Sequence, residues 1–198
     1  MVLNSKIFLI CYFIFFIVGS IIRSYFKKGY SREDIAKNYS NSFEFVLVML
    51  PSFGMFFLPM TFAFTDWFKL ADYQLSVWYG IAGCLVFTLS LWLLYRSHAD
   101  LKKNWSPLLE INKDHELITN GVFKYIRHPM YAAHFGWGIA QILLLWNWIV
   151  GPSMLILMLP LYLYRIKKEE EMMIQNFAEY SDYKKRTGRI FPRINKRI

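Results

Sequence analysis

Hydrophobic positions along this 198-residue chain gather into five long runs separated by polar connections. The runs cover 7–22, 45–65, 75–95, 130–150 and 152–166. Each approaches the ~20 residues that carry an α-helix across ~30 Å of hydrocarbon, the fifth being short and borrowing from its flanks. The pattern predicts an all-α fold: one domain over 1–198, a polytopic membrane bundle of five transmembrane helices. Lys6 precedes the first run, Arg23, Lys27 and Lys28 follow it, and no small-x-small cleavage site is visible. The first run therefore reads as a retained span rather than a signal peptide.

The polar pieces are unequal. The segment from Arg96 to Pro129 and the tail from Arg165 are each more than thirty residues long, whereas the external connections are short. In the third loop, Ile111, Leu117, Ile118, Val122, Phe123 and Ile126 are too apolar for a free tether. They predict a structured loop packed under the bundle. Gly121 after Asn120 predicts a tight turn. In the tail, Ile166, Glu170, Met173, Phe177 and Tyr180 share one helical face at 100° per residue, so span five should continue as an amphipathic helix. Glu171 points away and Glu169 lies at the margin. A carboxylate embedded in that stripe needs a partner; Arg127, Arg165 or a cationic ligand could supply it. After Gly188, "RIFPRI" reads as a short apolar return onto the bundle.

Charge orients these pieces. Lys and Arg number one before the first run, five in loop 23–43, one in the second loop, six in loop 96–129, none near 147–151 and ten from Arg165 onward. The alternation predicts an N-terminus outside and a cytoplasmic third loop and C-terminus. Composition agrees: 56% of residues are hydrophobic and 19% aromatic. The net charge of +9 is thereby explained as membrane orientation, and no recognition motif supports nucleic-acid binding. Cys11 and Cys84 fall inside apolar runs and offer neither a disulfide framework nor metal-ligand spacing, so no metal is expected. "NWS" at 104–106 matches a glycosylation sequon, but it precedes Pro107 in a cytoplasmic loop and is discounted.

Candidate chemistry concentrates in "GVFKYIRHPMYAAHFGWG", 121–138. Pro129 suits the first turn of a helix and pushes His128 out of the helical region. Arg127 and His128 then stand at a helix mouth, where free N–H groups favour a carboxylate or phosphate. An interfacial anchor is the equally weighted alternative. Beyond the mouth, Tyr131, His134, Gly138 and Gln141 share a face. His134 and Gln141 are expected to make interhelical hydrogen bonds rather than ligand contacts.

With these segments in view, the chain resembles the isoprenylcysteine carboxyl methyltransferase family of integral-membrane methyltransferases. "NWS" (104–106), "HELITNGVFKYIRHPMYA" (115–132), "KKEEEMMIQNFAEYSDYKKRTGRIFP" (167–192) and the five-span layout carry the resemblance. One departure is Phe177-Ala178-Glu179-Tyr180, where the family often has Phe-Gly-x-Glu-Tyr. The resemblance implies S-adenosylmethionine as methyl donor, S-adenosylhomocysteine as product, and a cytoplasmic cofactor region formed by 96–131 and 165–198. It implies that His115, Leu117 and Gly121 line the cofactor, and that Tyr125, Arg127, His128, Pro129 and Tyr131 hold it from the helix mouth. Glu169 and Glu170 would contact it or the acceptor, and Tyr180, Tyr183 and Arg189 would close the site. A lipophilic acceptor such as a prenylated cysteine would arrive from the bilayer. Methyl transfer is an in-line displacement in which positioning and charge placement dominate. A carboxylate acceptor is already ionised near neutral pH and needs only an orienting arginine, Arg189 or Arg165. An amine acceptor would need a Glu or His base. Isoprenylcysteine-type carboxyl O-methylation is expected first, with a phospholipid or other small-lipophile methyltransferase second and a non-catalytic membrane scaffold third. The expected membrane is the plasma membrane in a prokaryote and the endoplasmic reticulum in a eukaryote.

Overall fold

A computed structural model of the chain describes residues 3–193. Its helices are α1 (Leu3–Lys27), α2 (Ser42–Ser52), α3 (Leu58–Phe64), α4 (Val77–Leu101), α5 (Pro129–Leu144), α6 (Val150–Asn176) and α7 (Tyr180–Arg186). A π-helical turn, Phe53–Phe57, joins α2 to α3. Three segments among the described residues are long and apolar enough to cross a membrane: Leu3–Lys27, Ser42–Phe64 and Val77–Asn104. The other two predicted spans are helices of a different kind. α5 has 16 residues, about 24 Å of rise. α6 has 27 residues, and its second half is the charged run from Lys167.

The fold is mostly helical rather than all-α. Ile35–Asn38 (β1) and Glu110–Asn112 (β2) form a two-stranded antiparallel sheet. These strands are four and three residues long, too short for a period-2 pattern to show in the sequence. They tie the first connection to the third, helped by Tyr39 N–H donating to Leu109 O (2.8 Å) and Lys113 N–H to Asp34 O (2.8 Å). Beneath the sheet, Leu109 and Ile111 pack on Met172, Met173 and Phe177, so the third loop is packed under the bundle as its apolar residues require. Another difference concerns α4, which continues to Leu101 instead of stopping near 95. Arg96 and Asp100 form an i,i+4 ion pair at 2.8 Å on this added turn, the spacing that supports an exposed helix end.

The bundle core holds Tyr12, Phe87, Trp137, Leu144 and Met154. Inside it lies one polar centre. Gln141, fully buried, accepts from the Tyr12 hydroxyl (2.7 Å) and donates to Val150 O (2.7 Å) and Gly54 O (3.1 Å). Gly54 sits in the π-turn, where the helical hydrogen-bond ladder is interrupted and a carbonyl is released for other donors. Ser153 Oγ donates to the same carbonyl (2.9 Å). A Cβ at Gly54 would stand 2.9 Å from Ser153 O, so glycine permits the helices to come this close. Gln141 thus makes the interhelical bonds its sequence position suggested. Replacing it with Leu removes its bonds to Tyr12, Val150 O and Gly54 O from a dry core and leaves the Gly54 carbonyl to Ser153 alone, at a cost of about 2 kcal/mol. Thermal unfolding in detergent should show Gln141→Leu melting several degrees lower, whereas an unchanged melting temperature would deny the polar centre a structural role.

Candidate functional site

The site begins where α5 begins. His128 has φ −124° and ψ 61°, out of the helical region as expected of a residue before proline, and Pro129 occupies the first turn. The C-terminal return clamps this mouth through backbone bonds. Arg127 N–H donates to Gly188 O (2.9 Å), His128 N–H to Arg189 O (2.9 Å) and Gly188 N–H to Tyr125 O (3.3 Å). The return is held at Gly188 and Arg189, but Phe191 is 75% exposed, so it is backbone bonding rather than apolar packing that fixes it; Ile194 lies outside the described residues. Gly121 has φ +56°, a left-handed conformation that favours glycine. Its Cα faces Asp100, whose carboxylate accepts from Val122 N–H (2.9 Å).

Glu170 occupies the centre of this region and is 3% exposed. Arg127 reaches its Oε1 through Nε (3.2 Å) and Nη2 (3.0 Å). Lys184 Nζ lies 2.7 Å from Oε2, and Arg189 Nε and His128 Nε2 each lie 3.4 Å from Oε1. The remaining Arg127 donors go to the carbonyls of Lys184 and Thr187. The guanidinium at the helix mouth is therefore committed to protein groups. It fulfils the need for a partner that the apolar stripe placed on Glu170, and α6 itself supplies the anion.

A cavity of about 430 Å³ opens beside this cluster. His115, Leu117, Phe123, Arg127, His128, Pro129, Tyr131, Glu169, Tyr180 and Tyr183 line its polar end. Phe16, Val48, Met55, Met158 and Leu161 line its apolar end, and Arg165 stands between. Of the predicted site residues, Gly121, Tyr125, Glu170 and Arg189 do not line it. Tyr125 is 60% exposed, and the Arg189 side chain caps Glu170 from the outside. The resemblance placed both glutamates at the cofactor or acceptor, and only one of them lines the cavity. Glu170 is sequestered, while Glu169 faces the cavity, receiving a bond from the Tyr131 hydroxyl (3.0 Å). Arg165 donates to Pro107 O (3.0 Å) and lies 3.4 Å from Glu44, a fully buried carboxylate on α2.

Other cavity residues carry no signal that isolated the site in the sequence. Asn104 is buried and accepts from Glu116 N–H (2.8 Å), so the sequon asparagine is a structural brace. Glu110, on β2, receives the hydroxyls of Tyr30 (3.0 Å) and Ser106. Arg23, His98 and His134 also line the cavity. Arg23 reads from sequence as a topology charge, and His98 as a loop residue. His115 keeps a buried Nδ1 without a partner and packs its ring, tilted by 43°, against Phe177 at 5.5 Å.

The electrostatics follow from the cluster. Burial would raise the Glu170 carboxyl, but His128, Lys184 and Arg127 outweigh it and hold it well below 4.5. Burial likewise would raise Glu169, and His128, Arg165 and Tyr131 bring it below its ordinary value. For His128, burial acts to lower the imidazolium, and the two carboxylates overcome it and raise it above 6.5. Burial lowers His115.

Similarity to known proteins is consistent with this geometry. Residues 81–175 match the model of the isoprenylcysteine carboxyl methyltransferase (ICMT) family. The protein-S-isoprenylcysteine O-methyltransferase of Dictyostelium discoideum is 32% identical over 162 residues, covering 78% of this chain and 67% of that protein. The Saccharomyces cerevisiae enzyme of the same name is 30% identical over 135 residues, 66% of this chain and 56% of that one. The Homo sapiens enzyme is 28% identical over 158 residues, 78% and 53%. A solved structure of the eukaryotic intramembrane Ras methyltransferase ICMT superimposes with a TM-score of 0.53 at 24% identity, covering 79% of this chain and 54% of that one. The chain spans between about half and two thirds of the length of these relatives. Fold and cavity define an integral-membrane helical protein with one site shared between a polar and an apolar end. The chain belongs to the isoprenylcysteine carboxyl methyltransferase family.

The pairing of His128 has a pH signature. A histidine raised in the folded state contributes its full stabilisation below pH 6.5 and loses it as pH rises through the folded value. A lowered carboxylate such as Glu170 contributes fully above 4.5 and loses its contribution as pH falls. The melting temperature in detergent should therefore fall on the alkaline side of about pH 6.5, and His128→Gln should flatten that limb while leaving the acid limb in place. An unaltered alkaline limb in His128→Gln would contradict the pairing.

Proposed function

We propose that this protein transfers a methyl group from S-adenosylmethionine to the carboxylate of a lipophilic acceptor, in the manner of isoprenylcysteine carboxyl O-methylation. The observation that carries this reading is one cavity of about 430 Å³ whose lining joins charged and polar side chains to lipid-like apolar ones. Its polar end suits a charged nucleoside-derived donor, and its apolar end lies between α1, α2 and α6 at the depth of a lipid chain. The residues present fit the donor. Glu169 offers a carboxylate for positive charge, the unpartnered His115 Nδ1 offers a polar contact, and Leu117, Phe123 and Tyr180 offer flat apolar surface.

When bound, the donor supplies an electrophilic methyl group on a positively charged sulfur. The residues of the chain supply position and dryness. Glu169, fixed by Tyr131, places negative charge where the donor's cationic groups would lie. The Glu170 cluster holds the α5 mouth and α7 in register, so Tyr180 and Tyr183 close the polar end. Met55, Met158 and Leu161 exclude water, and a carboxylate stripped of water is the better nucleophile. The ionised acceptor needs orientation rather than a base. We place five helical passes across the bilayer, the N-terminus outside, and the third loop and C-terminus in the cytoplasm, on the alternation of Lys and Arg. The bilayer and a prenylated cysteine are the expected partners, in the plasma membrane of a prokaryote or the endoplasmic reticulum of a eukaryote.

Purified protein in detergent should bind S-adenosylmethionine by calorimetry, and Glu169→Gln should weaken that affinity about tenfold, the loss of one charge-assisted contact. It should methylate a farnesylated cysteine analogue and leave phosphatidylethanolamine untouched. Absence of donor binding would refute the enzymatic reading, and methylation of the lipid amine alone would refute the carboxyl assignment.

A further inference from the structure

We propose that Arg23, held by His134 and lining the same cavity as His98, forms the subsite that binds the acceptor's carboxylate and thereby selects the acceptor. The proposal rests on the carboxyl-methylation reading above and adds a binding residue to it from α1, outside the matched region 81–175.

The first observation is a count of charges. Three arginines line the cavity: Arg23, Arg127 and Arg165. Arg127 is paired with Glu170 at 3.0 Å and Arg165 with Glu44 at 3.4 Å. Arg189 is also spent on Glu170. Arg23 has no carboxylate within 4 Å among the described residues. Its hydrogen bond is to His134, from Nη1 to Nε2 at 3.1 Å, which leaves Nε–H and Nη2 without a protein acceptor. A guanidinium presents five N–H donors in a planar fork matched to a carboxylate. An arginine near a lipid-crossing segment ordinarily extends toward the headgroups. This one is exposed, yet it lines the cavity and reaches across to His134 on α5.

The second observation fixes the proton positions around it. His134 Nδ1 lies 2.6 Å from Met130 O, so Nδ1 carries the hydrogen and Nε2 is the acceptor that Arg23 needs. His134 therefore positions the guanidinium without neutralising it. His98 repeats the arrangement, with Nδ1 at 3.1 Å from Leu94 O. Its ring is held between Phe26 (5.2 Å) and Trp105 (5.0 Å). His98 is 1% exposed, and its Nε2 has no partner. An unpartnered buried acceptor is unfavourable and calls for a donor from a ligand. A C-terminal amino acid carries a carboxylate and an amide N–H on the same carbon, one group for Arg23 and one for His98.

The test is a binding comparison in detergent between N-acetyl-S-farnesylcysteine and its C-terminal carboxamide. The unmodified chain should prefer the acid about tenfold. Arg23→Gln should bring the ratio near one with S-adenosylmethionine affinity within about twofold, and Arg23→Lys should retain a preference of a few fold. Equal affinity of the unmodified chain for the two ligands, or an undiminished preference in Arg23→Gln, would overturn the proposal. Should Arg23→Gln lose donor binding as well, Arg23→Lys decides: a surviving preference supports the subsite, and its loss with donor binding intact rejects it. A short-chain phosphatidate that displaces the acid at lower concentration than the acid itself would assign the site to a lipid headgroup and reject the carboxylate. Preference for the acid without methyl transfer would remove the activity reading and leave the subsite standing, whereas transfer without preference would do the reverse.

Discussion

The buried pair of Glu170 with Arg127 is the interaction on which the rest of this structure depends. A carboxylate taken out of water is tolerated only when its charge is matched and its lone pairs are bonded. Here Arg127, Lys184, Arg189 and His128 converge on one carboxylate. These groups come from the α5 mouth, α7, the C-terminal return and α6. Meeting at Glu170 fixes four pieces of chain relative to one another, including pieces too short to hold a position by their own apolar contacts.

The shape of the cavity follows from that commitment. With Glu170 locked into the cluster, the 100° step along α6 turns Glu169 toward the open space beside it. α7 is brought to the polar end, where the Tyr183 hydroxyl donates to Phe123 O (2.6 Å). Farther along, Arg165 is matched by Glu44. The wall near α1 is different, because Arg23 is held by a neutral histidine. Of the three arginines that line the cavity, Arg127 and Arg165 are matched by carboxylates of the protein, and Arg23 stands where the proposal places the acceptor's own carboxylate.

Much of this was legible in the residues. Pro129 marked the start of α5, Gly121 marked the left-handed turn, and the stripe through Ile166, Glu170 and Met173 said that a buried carboxylate would need a cation. Those features are local, set by one residue's backbone or by spacing along one helix. What escaped was non-local. Arg23 and His134 are 111 positions apart, and nothing in either segment announces the other. The two strands are too short to show alternation. That Glu169 alone of the pair lines the cavity is a matter of one helical step, finer than a hydrophobic stripe resolves. The extension of α4 over His98 depended on Arg96 and Asp100, which counted as loop charge when only hydropathy was weighed.

The dependence of the site on the central pair is most directly measured by a double-mutant cycle on Arg127→Met and Glu170→Leu, read as unfolding free energy in detergent. Arg127→Met leaves Glu170 without its closest buried cation and Glu170→Leu leaves the buried Arg127 without a carboxylate, and each should cost about 3 kcal/mol. The double change removes both charges, so its cost should fall short of the sum by about 2 kcal/mol or more. Strictly additive losses would show that the two side chains are not coupled and that something other than this pair holds the helix mouth to the C-terminal return.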